Sequence, residues 1–217
     1  MHTDRARRRA GNLLGALGLG VSDRVQRASE AGASRSSARA AALVTLAQWP
    51  GDSIEELRVS LGLTHSATVR VIDKLVASRL VIREHVGGGP AVRPRLTEAG
   101  VAEAGRILAA RRAALRPLLD LLSDADVTAL TAILERLLDA MTDDFDAGER
   151  ICRLCEVDAC PQNDCPVEVR QRLHTHNPSS RQTRGTHRDA SPERLRAGHQ
   201  RPGRKLPSTY RAARADT

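Results

Sequence analysis

Residues 53–78 read SIEELRVSLGLTHSATVRVIDKLVAS, and this stretch decides the fold. Ser53 and Glu56 have the spacing of a capping box, which predicts the start of a short helix. Gly62 supplies the left-handed residue that ends this helix, and Thr64 is placed to cap a second helix. Two short helices joined by a turn of about three residues that includes glycine form a helix-turn-helix.

Two further helices are predicted before the helix-turn-helix. The first spans residues 22–31, with Ser22 as its N-cap, and the second spans residues 36–49. Residues 1–21 are rich in arginine and glycine, and we interpret them as an N-terminal arm.

A short β-hairpin, or wing, is predicted after the helix-turn-helix, at residues 80–96. Its first strand spans residues 80–86 and is rich in β-branched side chains, and its second strand spans residues 91–96. The sequence GGGP at residues 87–90 predicts the loop between them. Pro94 restricts the second strand to an edge, because proline has no N–H to donate to a neighbouring strand.

Two long amphipathic helices are predicted next, with Thr97 and Ser123 as their N-caps. Their apolar stripes are too long for one small domain to cover, so we expect them to pack against a second copy of the chain. The predicted fold class is therefore mainly α with a small β-hairpin wing, a winged helix-turn-helix with long dimerisation helices over residues 22–146. The apolar positions are Val101, Ala104, Leu108, Leu115, Leu118 and Leu122 in the first helix, and Val127, Leu130, Leu134, Leu137 and Met141 in the second.

The positive charge of the chain is concentrated at its C-terminal end. The 217 residues carry a formal net charge of +8. Residues 1–173 hold 24 Lys+Arg and 23 Asp+Glu, whereas residues 174–217 hold 10 Lys+Arg and 3 Asp+Glu. The charge balance is therefore weak support for nucleic-acid binding by the folded part. Residues 171–217 are interpreted as a basic, disordered tail, because no apolar periodicity extends through them.

Several classes of protein are excluded by pattern. No apolar run reaches 18 residues, and no secretory type of apolar segment follows the basic N-terminus, so we expect a cytoplasmic protein with no membrane partner. The chain has no glycine-rich phosphate loop after a strand, no nucleophile elbow and no His-Glu-x-x-His sequence. We therefore expect that it is not an enzyme.

Four stretches of the chain resemble the MarR family of transcriptional regulators, and they occur in the family's order. They are LGLTHSATVRVIDKL at residues 61–75, LVIR at 80–83, RLTEAG at 95–100 and LSD at 122–124, and the resemblance covers roughly residues 22–142. It implies a homodimer that joins through the terminal helices of both chains and regulates transcription from a pseudo-palindromic operator on double-stranded DNA. Control would come from a small-molecule effector, which is often phenolic in relatives, or from a metal or thiol oxidation.

The second helix of the helix-turn-helix is expected to enter the major groove, where the residues of its first turns meet base edges. Arg70 can contact a guanine or a phosphate, Lys74 would contact phosphate, and Thr64 presents a helix N-terminus that favours phosphate. Relatives carry an arginine at the wing tip, but residues 87–90 hold none, so Arg93 is the nearest replacement. The predicted DNA-binding residues are Thr64, His65, Ser66, Thr68, Arg70, Lys74 and Arg93.

An alternative function is a winged-helix protein-interaction module that has a structural metal site and no specific DNA target. The near-neutral folded part keeps this alternative open, since winged helices also bind proteins. Asp73, within the second helix, is interpreted as a structural partner for Arg83 or Arg95 rather than as a functional acid.

All four cysteines fall within 14 residues, in the spacing C-x2-C-x4-C-x4-C. Zinc binds four thiolates tetrahedrally at about 2.3 Å, and we favour a structural zinc site at residues 147–170. Arg150 and Arg153 would offset its negative charge. The alternatives are an iron–sulfur cluster, a thiol redox switch, or four reduced cysteines without a ligand. The predicted metal ligands are Cys152, Cys155, Cys160 and Cys165.

Overall fold

The computed structural model describes residues 2–30, 36–85, 92–160 and 163–176 of the chain. The predicted fold class is confirmed, since the structure is mainly helical with one two-stranded antiparallel sheet. The helices are α1 (His2–Glu30), α2 (Ser37–Gln48), α3 (Ile54–Leu61), α4 (His65–Ala77), α5 (Glu98–Leu119), α6 (Asp124–Met141), α7 (Phe145–Cys152) and α8 (Pro166–His176). The strands are β1 (Val81–His85) and β2 (Val92–Leu96), and a 3-10 turn (Val157–Ala159) lies between α7 and α8.

The helix-turn-helix forms from α3 and α4 with the predicted caps. The Ser53 hydroxyl accepts a hydrogen bond from the Glu56 N–H at 3.2 Å, and the Glu56 carboxylate accepts one from the Ser53 N–H at 2.7 Å. Gly62 is left-handed, with φ 65°. The Thr64 hydroxyl accepts from the N–H of Ala67 at 3.3 Å and so caps α4. The local sequence therefore fixes both the end of α3 and the start of α4.

The wing is the β1–β2 hairpin, and one ion pair fastens it to α4. The Arg83 guanidinium of β1 lies 2.7 Å from the Asp73 carboxylate of α4, which confirms the predicted pairing of Asp73 with one of two arginines. The other candidate, Arg95 of β2, pairs instead with Glu84 across the hairpin at 3.0 Å. The predicted wing loop at residues 87–90 lies outside the described residues.

A close approach between helix α5 and the chain before β1 requires a glycine at residue 100. The Thr97 hydroxyl accepts from the Gly100 N–H at 3.0 Å and begins the helix. A Cβ on Gly100 would lie 2.0 Å from the carbonyl oxygen of Leu80. That distance is well inside van der Waals contact, so only glycine lets α5 start this close to the wing.

The hydrophobic core joins α2, α3, α4, α5 and β1, and its side chains are aliphatic. This composition follows from an aromatic content of 1%. Each fully buried leucine, isoleucine or valine contributes about 1.5–3 kcal/mol relative to its exposed state. Residues of this core with 0–1% exposure include Leu43, Val44, Leu57, Ile72, Leu75, Val81 and Ile107.

Helix α1 is much longer than the sequence predicts. It begins at His2 rather than at Ser22, so Ser22 is an interior residue of the helix and not its N-cap. Alanine, leucine and arginine favour helix strongly enough to extend it through four glycines that each cost about 1 kcal/mol. Side chains 3–20 are all exposed, whereas the end of the helix packs on α5 and α2. The predicted end of this helix, at residue 31, lies outside the described residues.

The C-terminal part folds further than predicted. Helix α8 continues to His176, so residues 171–176 are helical rather than part of the tail, and Gln171 is buried. The remaining residues, 177–217, lie outside the described part of the chain. Across the described residues, none of the helices combines the length and hydropathy needed to cross a membrane.

Candidate functional site

Helix α4 has one buried face and one exposed face. Ile72 and Leu75 are 0% exposed and anchor the helix in the core. On the opposite side, the first two turns and the middle of the helix present polar and basic side chains to solvent. These exposed residues are Thr64, His65, Ser66, Arg70 and Lys74. Five of the seven predicted DNA-binding residues therefore share one accessible surface.

Thr68 does not belong to that surface, and its predicted role in contacting DNA is wrong. Its side chain is 0% exposed, and its hydroxyl donates a 3.0 Å hydrogen bond to the Thr64 carbonyl oxygen. Thr68 precedes Ile72 by four residues and Leu75 by seven, which places all three on the same buried face. This helical spacing is the sequence feature that identifies Thr68 as a core residue.

The exposed face of α4 carries uncompensated positive charge. Arg70 and Lys74 have no ion-pair partner in the part of the chain that the structure describes. The Nδ1 atom of His65 lies 3.6 Å from the Glu55 carboxylate, which also pairs with Arg58 at 2.7 Å. An extended anion would therefore meet the cations Arg70 and Lys74 along α4. At the end of α4 nearest α3, the Glu55 carboxylate partly offsets the positive charge.

Arg93 of β2 is folded back against the protein. Its guanidinium donates a hydrogen bond to the Gly51 carbonyl oxygen in the turn between α2 and α3. The side chain is therefore held beside the helix-turn-helix instead of extending along the hairpin towards the wing loop. In this position Arg93 is a poor replacement for an arginine at the wing tip.

The four cysteines are free thiols that line one cavity of about 60 Å³. Cys152 ends α7, Cys155 follows it, Cys160 immediately follows the 3-10 turn, and Cys165 immediately precedes α8. Side chains from α2 and α3 complete the lining, so the cavity lies between the C-terminal segment and the winged helix. The residues that these two helices contribute or that adjoin them are Thr45, Gln48, Trp49 and Ser60.

Contacts between the sulfur atoms join the four cysteines into one chain. Cys152 is hydrogen-bonded to Cys155 and Cys165, and Cys160 is hydrogen-bonded to Cys165. The two hydrogen bonds raise the pKa of Cys152 well above its usual range. Donation from Cys152 lowers the pKa of Cys155 to about 7 and that of Cys165 to about 5. Burial raises the pKa of Cys160 to about 12.

The surroundings of the sulfurs favour negative charge. The guanidinium groups of Arg111, on α5, and Arg153 contribute further to the lowered pKa of Cys155. Backbone N–H groups in the first turn of α8 donate to the sulfur of Cys165. Of the two arginines predicted to offset the charge of the site, Arg153 is confirmed near the sulfurs, whereas the Arg150 side chain packs towards Gly62.

Helix α2 closes the other side of the cavity with polar groups. The Thr45 hydroxyl is buried without a hydrogen-bond partner among the described residues, and Thr45 lines the cavity. The Gln48 amide donates to the carbonyl oxygen of Cys155. In the described ranges, no group of three or more His, Cys, Asp or Glu side chains is already arranged to hold a metal ion. The zinc site therefore stays a prediction.

Helix α7 connects the cysteines to the helix-turn-helix, a contact that no feature of the sequence predicts. The Ser60 hydroxyl at the end of α3 donates to the Glu149 carboxylate at 2.9 Å. A Cβ built on Gly62 would lie 3.0 Å from Cδ of Arg150, so α7 packs directly on the turn before α4. Helix α8 supports α7, since the Gln171 amide donates to the Phe145 carbonyl oxygen at 2.8 Å.

Large apolar side chains are left uncovered on α1 and α6. Helix α6 has no buried residue at all, although it carries the predicted apolar stripe. The most exposed members of this surface are Leu13, Leu14, Leu17, Leu19, Ile133, Leu134 and Met141, with exposures between 42% and 72%.

No protein-family model matches the sequence, and no curated protein matches it. Solved structures do match. The YusO protein from Bacillus subtilis is 21% identical, with a TM-score of 0.56, and the match covers 63% of this chain and 97% of YusO. A MarR family protein from Bacillus stearothermophilus is 23% identical, with a TM-score of 0.57, and the match covers 64% and 98% of the two chains.

A third match is MepR, a transcription regulator of the Staphylococcus aureus multidrug efflux pump MepA. It is 16% identical, with a TM-score of 0.53, and the match covers 60% of this chain and 96% of MepR. At these identities the comparisons show a shared fold. The chain therefore has the winged-helix fold found in MarR-family structures, as the resemblance implies.

Proposed function

We propose that the chain is a DNA-binding transcriptional regulator that acts as a homodimer and reads DNA with α4. One observation carries the proposal: α4 buries Ile72 and Leu75, while it exposes Arg70 and Lys74, which have no ion-pair partner among the residues that the structure describes. A helix that is anchored on one side and basic on the other fits the major groove, which is wide enough to admit it.

The proposed contacts follow from position along α4. Arg70 is one to two turns into the helix, where its guanidinium can form two hydrogen bonds with a guanine edge. Lys74 is one turn further and would contact the phosphate backbone. Thr64 caps the helix, so its free N–H groups would face a phosphate. His65 and Ser66, in the first turn, would meet base edges.

Dimerisation is supported by the uncovered apolar surface of α1 and α6. Helix α6 has 18 residues and buries none of them within one chain. Side chains such as Leu134 and Met141 would be removed from water by a second copy. Because each is already about half covered, burial of the remainder is worth roughly 1 kcal/mol per side chain. A two-fold pair presents two copies of α4, which suits a pseudo-palindromic operator.

The effector is proposed to bind between the dimerisation helices and the DNA-binding part. The cysteine cavity is an unsuitable site for a phenolic molecule, because its volume of about 60 Å³ is far below the roughly 300 Å³ of typical organic-ligand pockets. MepR, which shares this fold, is a transcription regulator, and this supports regulation as the role of this chain.

The test is selection of binding sites from random duplex DNA with the full-length chain, followed by measurement of Kd on the selected site. Arg70→Ala is expected to weaken binding by about 1–3 kcal/mol, or roughly 5- to 150-fold. Arg116→Ala is the matched control, since Arg116 lies near the end of α5 and pairs with Asp120. If no sequence is enriched and Arg70→Ala binds DNA as the unmodified chain does, the protein-interaction alternative replaces this proposal.

A further inference from the structure

We propose that Cys152, Cys155, Cys160 and Cys165 bind one zinc ion, and that the ion clamps α7 and α8 onto the helix-turn-helix. The metal site does not depend on the proposed function.

The first observation that supports the zinc site is that the four cysteine side chains lie around one cavity. The four sulfurs come from the end of α7, the turn after it, the residue after the 3-10 turn and the residue before α8, yet all four line one cavity. Each is at least partly buried, and each contacts another sulfur of the set. The fold of residues 152–165 therefore brings every cysteine of the chain to the wall of one cavity, as a shared metal ion requires.

The four thiolate ligands determine which metal ion the site favours. Thiolates are soft ligands that favour zinc, copper(I) or iron–sulfur clusters over magnesium and calcium. Four thiolates around zinc form a closed, tetrahedral structural site with no position left for substrate. A cavity of about 60 Å³ is compatible with a single ion enclosed by its ligands.

A second, independent observation comes from α2. The Thr45 hydroxyl is buried, lines the cavity and has no hydrogen-bond partner among the described residues. A buried hydroxyl without a partner costs about 1–3 kcal/mol. A thiolate bound to zinc retains lone pairs that accept hydrogen bonds, so the loaded site would supply the missing acceptor.

The charge of the site is also compensated. Four thiolates and one divalent ion carry a net charge of −2. Arg111 and Arg153 lie close enough to act on the sulfur of Cys155. Backbone N–H groups at the start of α8 point to the sulfur of Cys165. Cations and N–H donors around metal-bound sulfur are the outer partners that such sites use.

Loading the site requires a rearrangement of the side chains. The sulfurs now contact one another in pairs, and no three of them surround a common point in the described structure. Binding exchanges these S–H···S contacts for metal bonds: Zn²⁺ and four thiols give a zinc tetrathiolate and four protons, with no oxidation or reduction. All four sulfurs already line one cavity, which keeps this rearrangement local.

The clamp follows from the position of α7. Cys152 ends this helix, and Glu149 and Arg150, less than one turn before it, contact Ser60 and the Gly62 turn. Fixing Cys152 to Cys165 through zinc therefore fixes α7 against α3 and against the turn that precedes α4.

The metal site is tested on the full-length chain, purified without oxygen or chelator. Elemental analysis is expected to find one zinc per chain. Cobalt(II), added to the chelator-treated protein, is expected to give the absorption bands of a tetrahedral thiolate site. Each of the four single Cys→Ser variants should lower zinc affinity at least tenfold. Glu168→Gln is the control, because Glu168 lines the cavity but is not a proposed ligand.

Three results would overturn the metal site: no bound metal together with no cobalt spectrum, iron with acid-labile sulfide, or a disulfide among these cysteines after anaerobic purification. The clamp is tested by amide hydrogen exchange with and without zinc. Protection should rise both at residues 145–176 and at residues 58–64. A rise confined to residues 145–176 would refute the clamp. Neither experiment uses DNA, so failure here is distinguishable from failure of the proposed function.

Discussion

The hydroxyl of Ser60 donates a 2.9 Å hydrogen bond to Oε2 of Glu149, across 89 positions of sequence. Ser60 is 1% exposed and lies in the last turn of α3, and Glu149 lies in α7. This contact joins the first helix of the helix-turn-helix to the C-terminal segment that carries the cysteines. The two parts therefore have a specific polar connection in addition to their apolar contacts.

Replacing Ser60 with alanine is expected to lower the free energy of unfolding by about 1.5–3 kcal/mol, the range for hydrogen bonds to charged groups. Urea denaturation at neutral pH measures the change. Ser66→Ala is the control, because Ser66 is exposed on α4 and should change stability by less than about 0.5 kcal/mol. Equal effects of the two substitutions would show that the Ser60–Glu149 contact contributes nothing.

Gly100→Ala is expected to destabilise the fold by about 2–3 kcal/mol. Its Cβ would lie 2.0 Å from the Leu80 carbonyl oxygen, and a backbone atom can move only if α5 shifts away from the wing. Thermal unfolding measures the effect. Gly105→Ala in the same helix is the matched control, since no atom of the described residues lies within 4 Å of a Cβ built there.

The control should stabilise the protein by about 0.5–1 kcal/mol, because alanine favours helix over glycine. If both variants of α5 are stabilised, the close approach at residue 100 is refuted.

Arg79→Gly is expected to raise the free energy of unfolding by about 0.5–1 kcal/mol. Arg79 has φ 58°, a left-handed conformation that costs a residue with a Cβ about 1–2 kcal/mol, and glycine removes that cost but gains freedom in the unfolded chain. Chemical denaturation of the purified variant measures the difference. Ser78→Gly serves as the comparison, since Ser78 has φ −84° and gains nothing from glycine. A loss of stability in Arg79→Gly would contradict the prediction.

The extent to which the sequence predicts this structure depends on how local each interaction is. The capping box of Ser53 and Glu56, the left-handed Gly62 and the Thr64 cap each involve residues within four positions, and all three were predictable. The pairing of Asp73 with Arg83 spans ten positions and was predictable as one of two alternatives.

Non-local contacts were not predictable in the same way. The packing of Arg150 on Gly62 depends on the position of α7 relative to the helix-turn-helix. The local sequence of neither segment predicts that position. Position in the first turns of α4 predicts Thr68 on the DNA surface, although its spacing to Ile72 matches the buried face. The predicted start of α1 is 20 residues too late, because the helix propensity of alanine, leucine and arginine in residues 2–21 outweighs that of the glycines.

Leu134→Glu is expected to convert the proposed dimer into monomers while helical content stays near that of the unmodified chain. Leu134 is 42% exposed in one chain and belongs to the stripe on α6, so a buried glutamate at a subunit interface would be strongly unfavourable. Sedimentation velocity across a range of concentrations measures the association.

The matched variant for this test is Ala132→Glu, which lies on the other side of α6, two positions away, and should remain dimeric. A fully dimeric Leu134→Glu, or an unmodified chain that is monomeric at every concentration, would refute the proposed interface.

The uncovered stripe on α6 has a consequence for any cell that makes two versions of this chain. If the chain dimerises as proposed, a copy whose α4 cannot bind DNA still has an intact α6 stripe and can pair with an unmodified copy. Each mixed dimer then has only one α4 that can bind DNA, whereas a pseudo-palindromic site binds two copies of α4. An excess of the defective copy would therefore act as a dominant inhibitor, silencing the wild-type protein without any change to its gene.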